Sequence, residues 1–326
     1  MIADSYNRIH DYLRVAITDN CNFRCSYCMP QEDISFLPHN KLMSVDEIVA
    51  ISTTFVKMGV KKIRLTGGEP LVRTDGAEII KRLSTLPVEL TLTSNGFLID
   101  RFIDVFADSD IRSINISLDT LQPEKFLKLT RRDAFNKVWN NILLLLNKGI
   151  YVKLNVVAMK GINDDEINDF VSITKDLPLH VRFIEFMPFD GNYWNKDKVL
   201  PASDILQNVE ESFSFIKIKD EINDTAKKFK PLNHEGTFAI ITTMSQPFCN
   251  TCNRIRLTAD GKVKNCLFSS GEVDLLKAFR NGDDITGMIQ MHFAEKHKER
   301  GGQFPSNYEY TDTARINNRS MIKIGG

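Results

Sequence analysis

An α/β fold, an incomplete (β/α)6 barrel open at one side and closed there by a smaller C-terminal α+β domain, is what this 326-residue sequence predicts. Three observations predict it. Between Leu13 and about Met187, six short β-branched and aromatic runs alternate with longer amphipathic segments, the pattern of parallel strands joined by right-handed helical crossovers. After Met187 that rhythm stops and shorter elements follow. Six units are also too few to close a TIM-like barrel, which needs eight, so residues 1–187 form a partial barrel and residues 188–326 a second domain packed on its open side.

The strands of the first domain are Leu13 to Ile17, Lys62 to Leu65, Glu89 to Thr93, Ser113 to Ser117, Val152 to Val157 and Val181 to Phe186, each rich in residues that fit a pleated, buried surface. The clearest helix runs from Ser44 to Met58, because Ser44 and Glu47 are spaced as a capping box and Gly59 follows as the stop. Asn163 with Glu166 gives a similar start signal for a helix to about Leu177. In the second domain Phe189 to Trp194 is a loop, Ser203 to Ser212 a helix, and Phe213 to Ile218 and Phe238 to Thr243 strands. The last stretch, Tyr308 to Gly326, is largely polar and on composition alone reads as a frayed tail.

Composition narrows the function. The 42 Lys+Arg balance the 42 Asp+Glu, which argues against general binding to nucleic acid or an anionic membrane, since that affinity comes from excess cations. A local basic pocket stays open. Met1 to Asn20 lacks the cationic start and apolar centre of a secretory signal, and the longest strongly apolar run near the middle, Ile142 to Leu146, is far short of a membrane span. The expected location is the cytoplasm, where grouped cysteines are read as metal binding or catalysis before disulfides.

All six cysteines fall in two groups. Cys21, Cys25 and Cys28 follow the first strand on a loop at its carboxyl end, where chemistry collects in barrels of this kind. Three thiolates at Cys-x3-Cys-x2-Cys spacing can hold a cubane iron–sulfur cluster and leave its fourth iron open to a ligand. The competing readings are a zinc site short of one ligand and three ordinary buried cysteines. Cys249, Cys252 and Cys266 supply three more thiolates and again no obvious fourth; a second cluster fits, and zinc would have to recruit His234 or His292. Arg254 and Arg256 alternate between them, so both guanidinium groups face one side, suited to a polyphosphate or, failing that, to a solvated strand face.

With Tyr27 before the last cysteine, the first group resembles the signature of radical S-adenosylmethionine enzymes. Thr66-Gly67-Gly68-Glu69-Pro70, after the second strand, resembles that family's GGEP segment, although a Gly-Gly pair alone is only a tight turn. The resemblance implies S-adenosylmethionine on the open iron and its cleavage by one electron to a 5′-deoxyadenosyl radical. It places Tyr27, Gly68, Ser117 and Met187 near that cofactor, the last two serving otherwise as packing. Further landmarks run through nearly the whole chain: Arg14, Lys62-Ile63-Arg64, Asn115 to Asp119, Lys160 to Asp164, Arg182 to Met187, Arg254, Arg256 and terminal Gly325-Gly326. Together they resemble the branch of the family that cyclises GTP at the start of molybdenum cofactor biosynthesis.

That branch implies two [4Fe-4S] clusters. The second, on Cys249, Cys252 and Cys266, would take the guanine base, while Arg14, Arg64, Thr93, Lys153, Arg254 and Arg256 would hold the triphosphate. The radical would remove the C3′ hydrogen of GTP, and the C3′ centre would attack C8. Arg254, Arg256, Gly325 and Gly326 are implied in catalysis beside the first three cysteines, the glycine tail reaching into the site. The implied partners are GTP, an electron donor and the downstream enzyme that makes cyclic pyranopterin monophosphate; a homodimer stays open. Asn20 departs from the pattern, since a basic residue often precedes the first cysteine. Competing functions are a radical S-adenosylmethionine peptide maturase with an auxiliary cluster, or a non-enzymatic zinc-stabilised binding module.

Overall fold

The computed structural model describes residues 1–31, 34–305 and 307–325. Its strands form one sheet. In chain order β1 (Tyr12–Ala16), β2 (Lys62–Thr66), β3 (Glu89–Ser94), β4 (Ser113–Ser117), β5 (Tyr151–Ala158) and β6 (His180–Glu185) lie side by side and parallel, as the alternating pattern predicts. Helices α1 (Val45–Lys57), α2 (Gly76–Leu83), α3 (Ile99–Asp108), α4 (Pro123–Thr130) with α5 (Phe135–Asn147), and α6 (Ile167–Ser172) make the crossovers. Ser44 caps α1 with the full capping box to Glu47, and Gly59 ends the turn at φ +106°.

Beyond β6 come α7 (Ala202–Glu210), β7 (Phe215–Lys217), β8 (Ala226–Pro231), β9 (Thr237–Ile241), β10 (Arg254–Leu257), β11 (Lys262–Lys264), β12 (Val273–Asp274), α8 (Leu275–Asn281), α9 (Ile285–Ala294) and α10 (Met321–Ile324). These strands do more than cover the open side. β10 pairs parallel with β1 and β9 pairs parallel with β6, so the sheet order is β12-β11-β10-β1-β2-β3-β4-β5-β6-β9-β8-β7, and the late segment extends both edges of the early one. The sheet then ends in antiparallel strands of two and three residues, β12 and β7, short enough to blunt the edges against further pairing.

Alternation along each strand sorts two environments. Leu13, Ile63, Leu92, Ile114, Leu154, Val181, Phe238 and Ile255 point outward into the main core with Phe55, Phe106, Ile142 and Phe170. The intervening residues, Tyr12, Arg14, Arg64, Asn115, Lys153, Arg182 and Arg256 among them, face a cavity inside the curve of the sheet. Parallel strands are usually apolar on both faces; here the inner face is polar because it encloses a site. A second apolar cluster of Met159, Phe186, Phe189, Trp194, Met244, Phe268 and Ile324 joins the segments that follow β5 and β6 to later parts of the chain. It gives the loop near 190–198 a packing role, with Trp194 Nε1 donating to the Phe186 carbonyl at 2.9 Å.

Two local expectations change. Asn163 and Glu166 do not start a long helix: Asn163 Nδ2 donates to the Asp119 and Val157 carbonyls, Glu166 accepts from Thr120 and Leu121, and α6 ends at Ser172. The tail is not frayed, since Ile322 and Ile324 are buried. No helix among the described residues is long and apolar enough to cross a membrane.

Candidate active site

A cavity of about 900 Å³ runs through the inside of the sheet. At the carboxyl ends of the strands it is lined by Cys21, Cys25 and Cys28, with Tyr27, Gly67, Gly68, Ser117 and Met187 beside them. The loop holding the thiols is fixed by the glycines. Gly68 N–H donates to the Thr18 carbonyl at 2.8 Å and Glu69 N–H to that of Asn20 at 2.8 Å, and a methyl group on Gly68 would come within 2.4 Å of Asn20 O. Glu69 is buried and accepts from Leu71 N, Ser94 Oγ and Asn95 N; burial pushes its carboxyl up to about 7.

The three thiols are free and close enough to resist one another's ionisation. Burial, then the neighbouring negative groups, push Cys21 up to about 11 and Cys28 up to about 12. A protonated triad has to exchange its protons for metal, so the donor set fits an iron–sulfur cluster assembled on deprotonated sulfur. Tyr27 hydroxyl donates to Asp119 at 2.6 Å, and burial raises that carboxyl to about 6.

Toward the amino ends of the strands the wall turns cationic. Arg256, Arg14 and Arg64 stand on one rung of β10, β1 and β2. Lys153 and Arg182 approach from β5 and β6, and Arg254 lies over the Phe248 ring at 5.6 Å. Thr93 accepts from Arg64 Nη1 at 3.4 Å. Burial, then neighbouring cations, bring Lys153 down to about 8, Arg182 to about 9 and Arg256 to about 10. Arg182 Nε and Arg254 Nη1 are buried donors with no hydrogen-bond partner among the described residues. Such a cluster is stabilised by a polyanion that supplies several acceptors at once.

Cys249, Cys252 and Cys266 gather behind this wall; Phe248, Asn253 and Leu267, rather than their sulfurs, line the cavity. Cys252 and Cys266 lie close enough to influence the Arg256 guanidinium. Burial raises Cys249 to about 11, whereas Lys296 and Arg254 outweigh burial at Cys252 and lower it. Among the described residues no group of three or more His, Cys, Asp or Glu side chains is placed to hold a single metal ion.

The tail joins the two groups. Ile322 backbone reaches Cys28, and the Gly325 carbonyl accepts from Arg256 Nη1 at 2.8 Å. Gly325 has φ +86°, and a Cβ there would meet Ala16 Cβ at 2.7 Å. Asn318 and Arg319 anchor the tail: Arg319 bonds Asp260 at 2.8 and 3.0 Å and Glu272 at 2.5 Å. Gly326 lies outside the described residues.

Structure therefore brings together Arg14, Cys21, Cys25, Tyr27, Cys28, Arg64, Gly68, Thr93, Ser117, Lys153, Met187, Arg254 and Arg256 on one cavity. It adds wall residues that sequence reasoning left without a role, notably Tyr12, Lys62, Asn155, His180 and Arg182. Their signal was the polar half of an alternating parallel strand, which looks like a solvated face until the sheet curves around it.

A parallel sheet with three clustered thiols on its first loop and two glycines packed against that loop defines a radical S-adenosylmethionine protein. Residues 15–173 match the Radical SAM superfamily and residues 179–302 match Molybdenum Cofactor Synthesis C. The chain belongs to the GTP 3′,8-cyclase family. It is 43% identical over 330 residues to the mitochondrial GTP 3′,8-cyclase of Arabidopsis thaliana, covering 100% of this chain and 84% of that one. Identity to the GTP 3′,8-cyclase of Listeria monocytogenes is 38%, over 100% of this chain and 99% of the relative. The chain spans about half the length, 51%, of human molybdenum cofactor biosynthesis protein 1, to which it is 41% identical over 99% of its own residues. Among solved structures, Streptococcus suis SuiB bound to S-adenosylmethionine shares the fold at TM-score 0.60 and 15% identity, covering 94% of this chain and 72% of that one.

Proposed function

We propose that this protein is a GTP 3′,8-cyclase that holds S-adenosylmethionine and a [4Fe-4S] cluster at Cys21, Cys25 and Cys28 and a second [4Fe-4S] cluster at Cys249, Cys252 and Cys266. The observation that supports it most is a single cavity with a thiol triad at one end and a buried cationic wall at the other. Cys21, Cys25 and Cys28 would hold the first cluster with S-adenosylmethionine, and that pair would supply the one-electron cleavage chemistry needed to activate the ribose of GTP for cyclisation, with the external donor supplying the electrons.

The chain's own residues then have to bind, orient and exclude water. Gly67 and Gly68 bring backbone against the methionine end of the cofactor; Ser117 offers a hydrogen bond and Met187 an apolar surface for the nucleoside end. Arg14, Arg64, Lys153, Arg254 and Arg256, with Lys62, Arg182 and Thr93, neutralise and grip the triphosphate, which fixes the ribose relative to the first triad. Fixing it matters because a primary carbon radical reacts with whatever lies nearest. Gly325 packs against Ala16, and Arg256 is both a phosphate partner and the tail's contact. An external electron donor and a downstream enzyme that makes cyclic pyranopterin monophosphate complete the sequence.

Anaerobic incubation of reconstituted protein with S-adenosylmethionine, a reductant and GTP tests the reading. The expected products are 5′-deoxyadenosine and a cyclised guanine nucleotide. Formation of 5′-deoxyadenosine with no altered nucleotide would reject the substrate. Iron and sulfide analysis should give two clusters, falling to one in Cys249→Ala.

A further inference from the structure

One group on the cationic wall is an acid. Tyr12 opens β1, with Arg254 of β10 and Lys62 of β2 as its register partners. Arg64 Nε donates to its hydroxyl oxygen. The guanidinium carbons of Arg64 and Arg254 lie 5.7 and 5.6 Å from its ring centroid, and Lys62 Nζ lies 5.6 Å away. Arg14 on the same strand, Arg256 on β10 and Arg182 on β6 add to the positive field around it. The nearby carboxylates offset part of that field: Glu89 pairs with Lys62 at 2.6 Å, Asp224 pairs with Lys228 at 2.6 Å and acts on Arg254, and Asp11 accepts from Asn253 at 2.6 Å.

A phenol surrounded in this way can do what a phosphate does, namely offer negative oxygen to guanidinium groups. We propose that Tyr12 is a positioning residue for the triphosphate: in the free enzyme its ionised oxygen holds Arg64 and Arg254 in place, and it takes up a proton from solvent when the phosphates arrive. The inference rests on GTP being the substrate. Burial alone would raise the phenol, but Arg64, Arg14, Arg254 and Lys62 outweigh it and bring Tyr12 down to about 7. A bound polyanion cancels that field, so the phenol returns toward its ordinary value, about 10.

Calorimetry of GTP binding to the holoenzyme at pH 8, in two buffers of different ionisation enthalpy, counts the protons. Wild type should take up on the order of one proton per GTP and none with guanosine, which brings no phosphate. Tyr12→Phe keeps the ring and loses the acid; it should take up about one proton fewer than wild type, bind GTP about tenfold more weakly, and show the loss in KM rather than kcat. Equal uptake by wild type and variant, or no uptake by wild type, overturns the proposal. If the variant fails to fold, the ultraviolet difference spectrum of wild type at pH 8 decides: GTP should remove the tyrosinate absorbance, and an unchanged spectrum overturns the proposal. Wild type that binds no GTP at all would instead overturn the substrate assignment.

Discussion

Gly68 has no room for any side chain, because its ideal Cβ position lies 2.4 Å from one backbone carbonyl oxygen and 2.5 Å from another. Neither neighbour is a movable side-chain end, so Gly68→Ala must push the cysteine loop away from β2. We expect it to lower S-adenosylmethionine affinity by more than about tenfold and to reduce iron content, both read on the reconstituted protein. Gly325→Ala meets a different obstacle, a positive φ and the Ala16 side chain. It should leave S-adenosylmethionine binding intact while cutting cyclised product by more than about tenfold, and unchanged turnover would show that the tail has no part in the reaction. The cysteines were legible in the sequence because thiols at that spacing suit a cluster, whereas Gly68 was legible only through the family resemblance, a Gly-Gly pair by itself being no more than a tight turn. Gly325 was legible only through resemblance; its own composition pointed to a loose end. Tyr12 and Lys62 were not legible as site residues, since nothing in a strand's alternation says which polar face will be enclosed.

At the scale of elements, β6 carries a second consequence of that enclosure. His180 Nδ1 meets Thr237 Oγ1 of β9 at 2.7 Å, and burial, followed by Arg182, Lys153 and Lys228, lowers the ring to about 3. Its folded value lies below the unfolded one, about 6.5, so the neutral ring contributes stability that is fully present above that pH. The contribution is lost progressively as pH falls toward the folded value. At pH 5 this one group should have cost about 2 kcal/mol relative to neutral pH. Urea unfolding of wild type and His180→Gln at pH 7 and pH 5 measures it; the variant should lose less stability between the two. Helix α6 shows where element reading failed. Asn163 and Glu166 carry the residue types of a helix start, yet both side chains turn inward to tie the loop after β4 to the loop after β5. A capping signal identifies side chains able to bond backbone, not which backbone they will choose.

On the scale of the molecule, six strands in order were legible because each is a local run with its own turn signals, whereas the pairing of β1 with β10 and of β6 with β9 joins residues far apart in sequence. Distant partners leave no local signature. The boundary near residue 187 accordingly divides the chain by pattern while one sheet runs across it. Residues 1–187 expressed alone would leave β1 and β6, of five and six residues, as unpaired sheet edges. We expect that fragment to aggregate, measured by solubility and light scattering, while the full chain stays dispersed; a soluble fragment with native-like far-ultraviolet dichroism would show that the first domain folds independently.

The same pairing imposes an order on biosynthesis. Tyr12 leaves the ribosome early, but Arg254, its neighbour across the sheet, emerges only after most of the chain has been translated. Until then the leading strand must wait with one flank bare, and nascent protein should depend on holding chaperones in proportion to how slowly the last quarter is made.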